Sequence, residues 1–146
     1  MKLIESILNK MSGICKPQKK FLIKAFKAFL GASGKMTFSN MCRYVGLCEK
    51  TFRRQFSNFF CFAEFNRYAI EEALYGKDSK LAAAFDPFFL PKAGDNTHGT
   101  GSFWSGVSGR VEKGLEASLI SIVDLTKRIG YALAAKQTPN SAELKK

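Results

Sequence analysis

Apolar residues recur at helical spacing through the first half of the chain. In the second half they gather into short continuous runs. Pro17–Leu30 shows the first pattern: Phe21, Leu22, Ala25, Phe26 and Phe29 share one face, and Lys20, Lys24 and Lys27 take the other. Pro17 suits a first helical turn, and Gly31 and Gly34 suit its end. In Thr37–Phe60, Thr37 or Ser39 can cap a short helix running to Tyr44. Val45-Gly46-Leu47 then makes a tight turn, and a second helix starts near Cys48 or Glu49 and runs to residue 60. Wound at ~100° per residue, this helix carries Lys50, Arg53, Arg54 and Ser57 on one face and Phe52, Phe56 and Phe59 on the opposite one. Two short helices across a Gly-containing turn are the layout of a helix-turn-helix. Phe62–Leu74 reads as a further helix with Phe62, Phe65, Ala69 and Ala73 toward the core. Gly76 stops it, and the polar Tyr75–Lys80 makes a linker.

Leu81–Lys92, LAAAFDPFFLPK, is nearly all apolar and is closed by Pro91 and a turn-rich segment, so it reads as a buried strand. Asp86 sits at its centre, and an ionised carboxylate there is costly unless something positive meets it. Asp86 is either a strand-end acid satisfied by backbone amides or Lys92, or a metal-binding carboxylate at the exit of a core strand. Ala93–Gly114 is Gly-rich and reads as a long loop, with Phe103 and Trp104 arguing against plain disorder. Lys92, His98, Arg110 and Lys113 lie on or beside it and could reach phosphate. Leu115–Thr126 reads as a strand, Lys127–Gly130 as a turn and Tyr131–Ala135 as the hairpin partner. Ser141–Lys146 is a polar tail that could begin a helix. The expected class is α+β, with a helical region over residues 1–76 and a sheet of three strands over 81–146.

Charge sharpens the picture. The chain has 146 residues and a net charge of +11. Residues 1–80 hold fifteen Lys and Arg against six acids, and residues 81–146 hold eight against six. A basic first half points to a polyanion, nucleic acid first and an anionic membrane second; a solvated basic face is the third reading. On the second helix, Arg53 or Arg54 can meet a guanine edge and Lys50 a phosphate. With Arg43, Thr51, Lys92 and Arg110 they form the expected DNA-binding set. The four cysteines, at 15, 42, 48 and 61, include no C-x-x-C, and His98 is the single histidine, so no zinc pattern forms. Cys42, Cys48 and Cys61 look like small core fillers. Glu5, Asn9 and Lys10 break up the apolar residues of the first sixteen positions, so no signal-peptide core forms there. No run reaches membrane-spanning length, and the cytoplasm is the expected compartment.

The segment AFDPFFLPKAGDNTHGTGSFWSGVSGRVEKGLEASLISIVDL, followed by GYALAAKQTP, resembles the start of the catalytic domain of bacterial insertion-sequence transposases of the DDE class. Upstream, NMCRYVGLCEKTFRRQF with FAEFNRY resembles the DNA-binding region preceding that domain in some members. The likeness covers about residues 35–140. It implies a ribonuclease-H-like core with a mixed sheet, whose first strand carries the first of three metal-binding acids, here Asp86. It also implies Mg²⁺ as cofactor, two ions serving in-line phosphodiester attack. Of the further acids Asp95, Glu112, Glu116 and Asp124, none occupies a place the family uses for its second or third. The expectation is therefore a truncated transposase, with only the first strands of the catalytic core, that binds the DNA of its element and does not cut it. The alternatives are a non-enzymatic helix-turn-helix regulator and a membrane-surface protein resting on residues 17–30. Expected partners are double-stranded DNA and a second copy of the chain, with no small-molecule substrate. Open strand edges and an uncovered apolar face are expected to leave the second half marginally stable.

Overall fold

The computed structural model describes residues 1–76, 78–92 and 97–140. Asp95 and the tail Ser141–Lys146 lie outside the described residues. Among the described residues the chain is α+β: five helices precede a four-stranded antiparallel sheet. It divides into two compact units, Met1–Ala69 and Ile70–Lys146.

The helices are α1 (Lys2–Lys10), α2 (Lys16–Gly31), α3 (Phe38–Val45), α4 (Glu49–Phe56) and α5 (Phe62–Leu74). α1 has no counterpart among the expected elements, yet Ile4, Ile7, Leu8 and Met11 are spaced as a helical stripe. Ile7 and Leu8 are almost wholly buried. The same Glu5, Asn9 and Lys10 that rule out a signal-peptide core form its outer side. Around α1 the core gathers Phe21, Leu22, Ala25 and Ala28 of α2, Met41 and Cys42 of α3, and Phe52 of α4. Phe52 is the hub, with ring centroids 5.1 Å from Phe21 and 5.6 Å from Phe38. Burying a side chain of this size contributes about 1.5–3 kcal/mol. From α5, Phe65 is buried and stacks on Phe26 at 4.9 Å.

Three expectations in this unit need correction. The helix expected to reach residue 60 ends at Phe56. Beyond it the Ser57 hydroxyl donates to the Arg54 carbonyl (2.9 Å), and the N–H groups of Ser57 and Asn58 bond the carbonyls of Arg53 and Gln55. A Ser side chain competes for backbone in this way and weakens a helix end. Phe59 therefore leaves the helix and is 87% exposed, so it is not part of the aromatic anchor. Phe62, expected in the core, opens α5 and is exposed, packed edge-on against Phe60 at 4.7 Å. Of the three cysteines expected as core fillers, Cys42 is buried and Cys61 half-buried, but Cys48 is exposed because it occupies the N-cap position of α4.

The sheet comprises β1 (Leu81–Pro91), β2 (Gly101–Ser105), β3 (Arg110–Asp124) and β4 (Ile129–Gln137). β3 is its spine. Residues 117–124 of β3 pair with β1 and also with β4, so these two lie on opposite edges. β2 pairs with Arg110–Gly114. Asn140 donates to the Thr100 carbonyl at 3.1 Å, which brings the exit of β4 to the entrance of β2. Every pairing is antiparallel, so the expected mixed, three-stranded sheet is replaced by an antiparallel one of four strands.

The expected loop Ala93–Gly114 holds β2 and the start of β3. Its glycines hide those strands in the sequence, and one of them has a packing reason. At Gly114 a Cβ would lie 2.5 Å from the Leu90 carbonyl oxygen and on the Phe89 ring.

The opening strand is not buried: Asp86 is exposed, and Phe85 is 66% exposed. Pro87 and Pro91 lack N–H groups, which suits an edge strand rather than a core one. Apolar side chains are exposed on both faces of the sheet, Phe85 and Ile120 on one and Trp104 and Val111 on the other.

The buried acid of the sheet is Asp124, at the end of β3. It accepts from the Ser79 hydroxyl (2.8 Å) and from the backbone N–H groups of Thr126 and Lys127 (3.0 Å each), with the Lys127 ammonium at 3.5 Å. Burial pushes its carboxyl up. The Ser79 hydroxyl, the Lys127 N–H and ammonium and the Thr126 N–H outweigh that and hold it below the usual carboxylate range.

Candidate nucleic-acid interface

α3 and α4 are eight residues each and are joined by Gly46-Leu47-Cys48. Thr37 caps α3, its hydroxyl accepting the Asn40 N–H at 3.2 Å. Gly46 ends the helix in the left-handed region at φ 62°, where glycine carries no Cβ penalty, and its N–H bonds the Cys42 carbonyl at 3.1 Å. Cys48 then runs extended into α4. Met41 and Cys42 anchor α3, and Phe52 anchors α4, so the other side of α4 is left to solvent.

On that side the expected cations divide. Lys50 and Arg54 are exposed one turn apart. Arg53 is exposed too, but its guanidinium is engaged. It donates to Glu49 Oε1 through Nε (2.8 Å) and Nη2 (2.5 Å), and lies 4.8 Å from the Phe38 ring centroid. Ser39 of α3 donates its hydroxyl to the other Glu49 oxygen. The Ser39 hydroxyl and the Arg53 guanidinium hold the Glu49 carboxyl below its usual range. Ser39, Glu49, Arg53 and Phe38 thus tie α4 to the start of α3. Thr51 is half-buried, its hydroxyl 3.1 Å from the Cys48 sulfur. Arg43 is exposed in the last turn of α3.

A groove of about 240 Å³ lies beside this surface. Lys20 and Lys24 of α2 form one wall, Thr51 and Gln55 of α4 the other, and Phe21 and Leu47 lie at its floor. The sequence puts the α2 lysines on the polar face of their helix and gives them a role only in the membrane-surface alternative. The only signal for them was their one-turn spacing, which does not say which helix they face.

The remaining expected residues belong to the sheet unit. Lys92 is exposed just past β1. Arg110 opens β3 and donates Nε to Glu112 Oε1 at 2.9 Å. Asp86 lies opposite Leu119 in the register, so the odd-numbered residues of β3 share its face. Glu112, Glu116 and Asp124 are even-numbered and project from the other face. Asp124 is also opposite Leu81, ~17 Å along the strand from the Asp86 pair. Among the described residues no three metal-ligating side chains cluster. Asp86 therefore does not fit a two-ion Mg²⁺ centre built with these acids, and no catalytic step can be assigned through one. No helix among the described residues is long and apolar enough to cross a membrane.

Comparison with protein-family models, with curated proteins and with solved structures found no match.

Proposed function

We propose that the helical unit binds double-stranded DNA, with α3, the Gly46 turn and α4 acting as a helix-turn-helix. The observation that carries this is the division of α4: Phe52 is fully buried on one side, and Lys50 and Arg54 stand exposed on the other. A recognition helix needs such an anchor and such a face. Arg54 is the residue for a guanine edge and Lys50 for a phosphate. Arg53 is a positioning residue, since two of its N–H donors hold Glu49, which also accepts from Ser39 of α3. The test is DNA affinity measured against salt. Affinity is expected to fall steeply between about 50 and about 200 mM salt, and to weaken in the K50Q/R54Q double variant. An affinity indifferent to salt overturns the proposal.

For the sheet unit the supporting observation is the resemblance to the opening of a DDE transposase catalytic domain, with Asp86 as its first acid. The other acids of β3 project from the opposite face, which favours a chain that binds DNA without cutting it. On that ground the non-enzymatic helix-turn-helix regulator stands as the second reading. Incubation with plasmid DNA and Mg²⁺ is expected to give no nicking. Nicking abolished by Asp86→Ala overturns this part.

A further inference from the structure

We infer that the groove between α2 and α4 is a binding channel for the phosphate backbone of DNA, so that α2 as well as α4 belongs to the interface. The inference rests on the reading of α4 as the DNA-facing helix. Lys20 and Lys24 stand one turn apart on α2, ~6 Å along its axis, and both are exposed. Like charges at this spacing repel one another, and none of the residues lining the groove is acidic. An anion entering the groove relieves that repulsion. Opposite the lysines stand Thr51 and Gln55, whose hydroxyl and amide are neutral donors of the kind that bond phosphate oxygens. The Thr51–Gln55 stripe lies ~100° around α4 from the Lys50–Arg54 stripe. With Arg54 turned toward a base edge, the groove meets the sugar-phosphate strand that borders it. A membrane surface suits α2 less well, because Phe21, Leu22, Ala25 and Ala28 of its apolar face are already buried within the unit.

The experiment measures binding of the whole chain to several duplexes over a range of salt. It compares the wild type with K20Q/K24Q, with K50Q/R54Q, and with K2Q/K35Q. The last removes two exposed lysines from elsewhere and so loses the same charge. Far-ultraviolet circular dichroism checks that each variant keeps its helices. K20Q/K24Q is expected to lower the slope of log affinity against log salt by about 2, at ~0.9 per phosphate released, and to weaken every duplex to a similar extent. K2Q/K35Q is expected to change the slope by less. If K20Q/K24Q matches K2Q/K35Q while K50Q/R54Q weakens binding, the groove is overturned and α4 keeps its role. If the wild type binds no duplex at all, both are overturned.

Discussion

Arg53 and Arg54 are adjacent on one exposed helix face, yet they are equipped for different work. Glu49 and Ser39 hold Arg53 against Phe38, while Arg54 is left to the solvent. Arg54→Ala is expected to cost about 1–3 kcal/mol of DNA affinity and to relax base preference at one position, read by competition between duplexes. Arg53→Ala is expected to lose less affinity without changing base preference. The helical phases place both arginines on one side but do not separate them. The Glu49–Arg53 spacing allows the pair, and only the Ser39 contact from another helix fixes it. Asp124 gives the second prediction at this scale. Its carboxyl is held below the usual range, so its stabilisation of the sheet is complete above the unfolded value of about 4. That stabilisation is lost as pH falls from there through the folded value. The wild-type sheet should therefore lose more of its urea midpoint between pH 7 and pH 3 than Asp124→Asn does. The variant should already be weaker at pH 7, with Ser79 and two backbone N–H groups facing an amide. Equal losses in the two proteins would contradict this. The sequence shows Asp124 only as one acid at a strand end, because its partners come from Ser79 and from the next turn.

The elements show which boundaries periodicity can find. α2, α3 and α5 were legible within a residue or two, since each has a strong apolar stripe and Pro, Thr or Gly at an end. The end of α4 was not, because Phe59 continues the helical phase although the ladder has already ended at Phe56, where the Ser57 hydroxyl donates to the Arg54 carbonyl and the Asn58 N–H to the Gln55 carbonyl. Phe52→Ala is accordingly expected to destabilise the helical unit by about 3–5 kcal/mol. Phe59→Ala should stay within about 0.5 kcal/mol. Denaturant unfolding followed by helical circular dichroism distinguishes them, and similar costs would put Phe59 back in the core. For strands the failure ran the other way. An apolar run on both sides of a strand suggests burial, but in β1 the two prolines carry the better signal, that of an edge. β2 was lost in a Gly-rich stretch where Gly101 faces Gly114 across the pairing. Its aromatic residues Phe103 and Trp104 were the only hint of it.

At the scale of the molecule, the buried apolar side chains gather in the basic helical unit, which still exposes Leu30, Phe59 and Phe62, and the sheet unit shows many of its own to solvent. Broad exposed apolar surface binds apolar dyes and draws chains together. The chain is expected to enhance the fluorescence of such a dye while natively folded, and Phe85→Ser with Trp104→Ser should reduce the signal without loss of helix. A chain that leaves the dye dark would contradict the exposure of these faces. The α+β class and the split in charge were visible in composition and pattern. The exposure of β1 was not, because a continuous apolar run does not say what lies above it. The tandem of β2 and β4 along one edge of β3 also shapes how the sheet answers tension. The chain enters β1 beside Asp124 and leaves β4 beside Ala117, at opposite ends of the stretch of β3 that β1 and β4 share. Stretched between residues 79 and 140, the two ladders slide in shear and resist together. Stretched between residues 92 and 140, they peel open bond by bond. Pulling in an optical trap should rupture the first geometry at the higher force, so a load passed through this sheet meets its stiff direction.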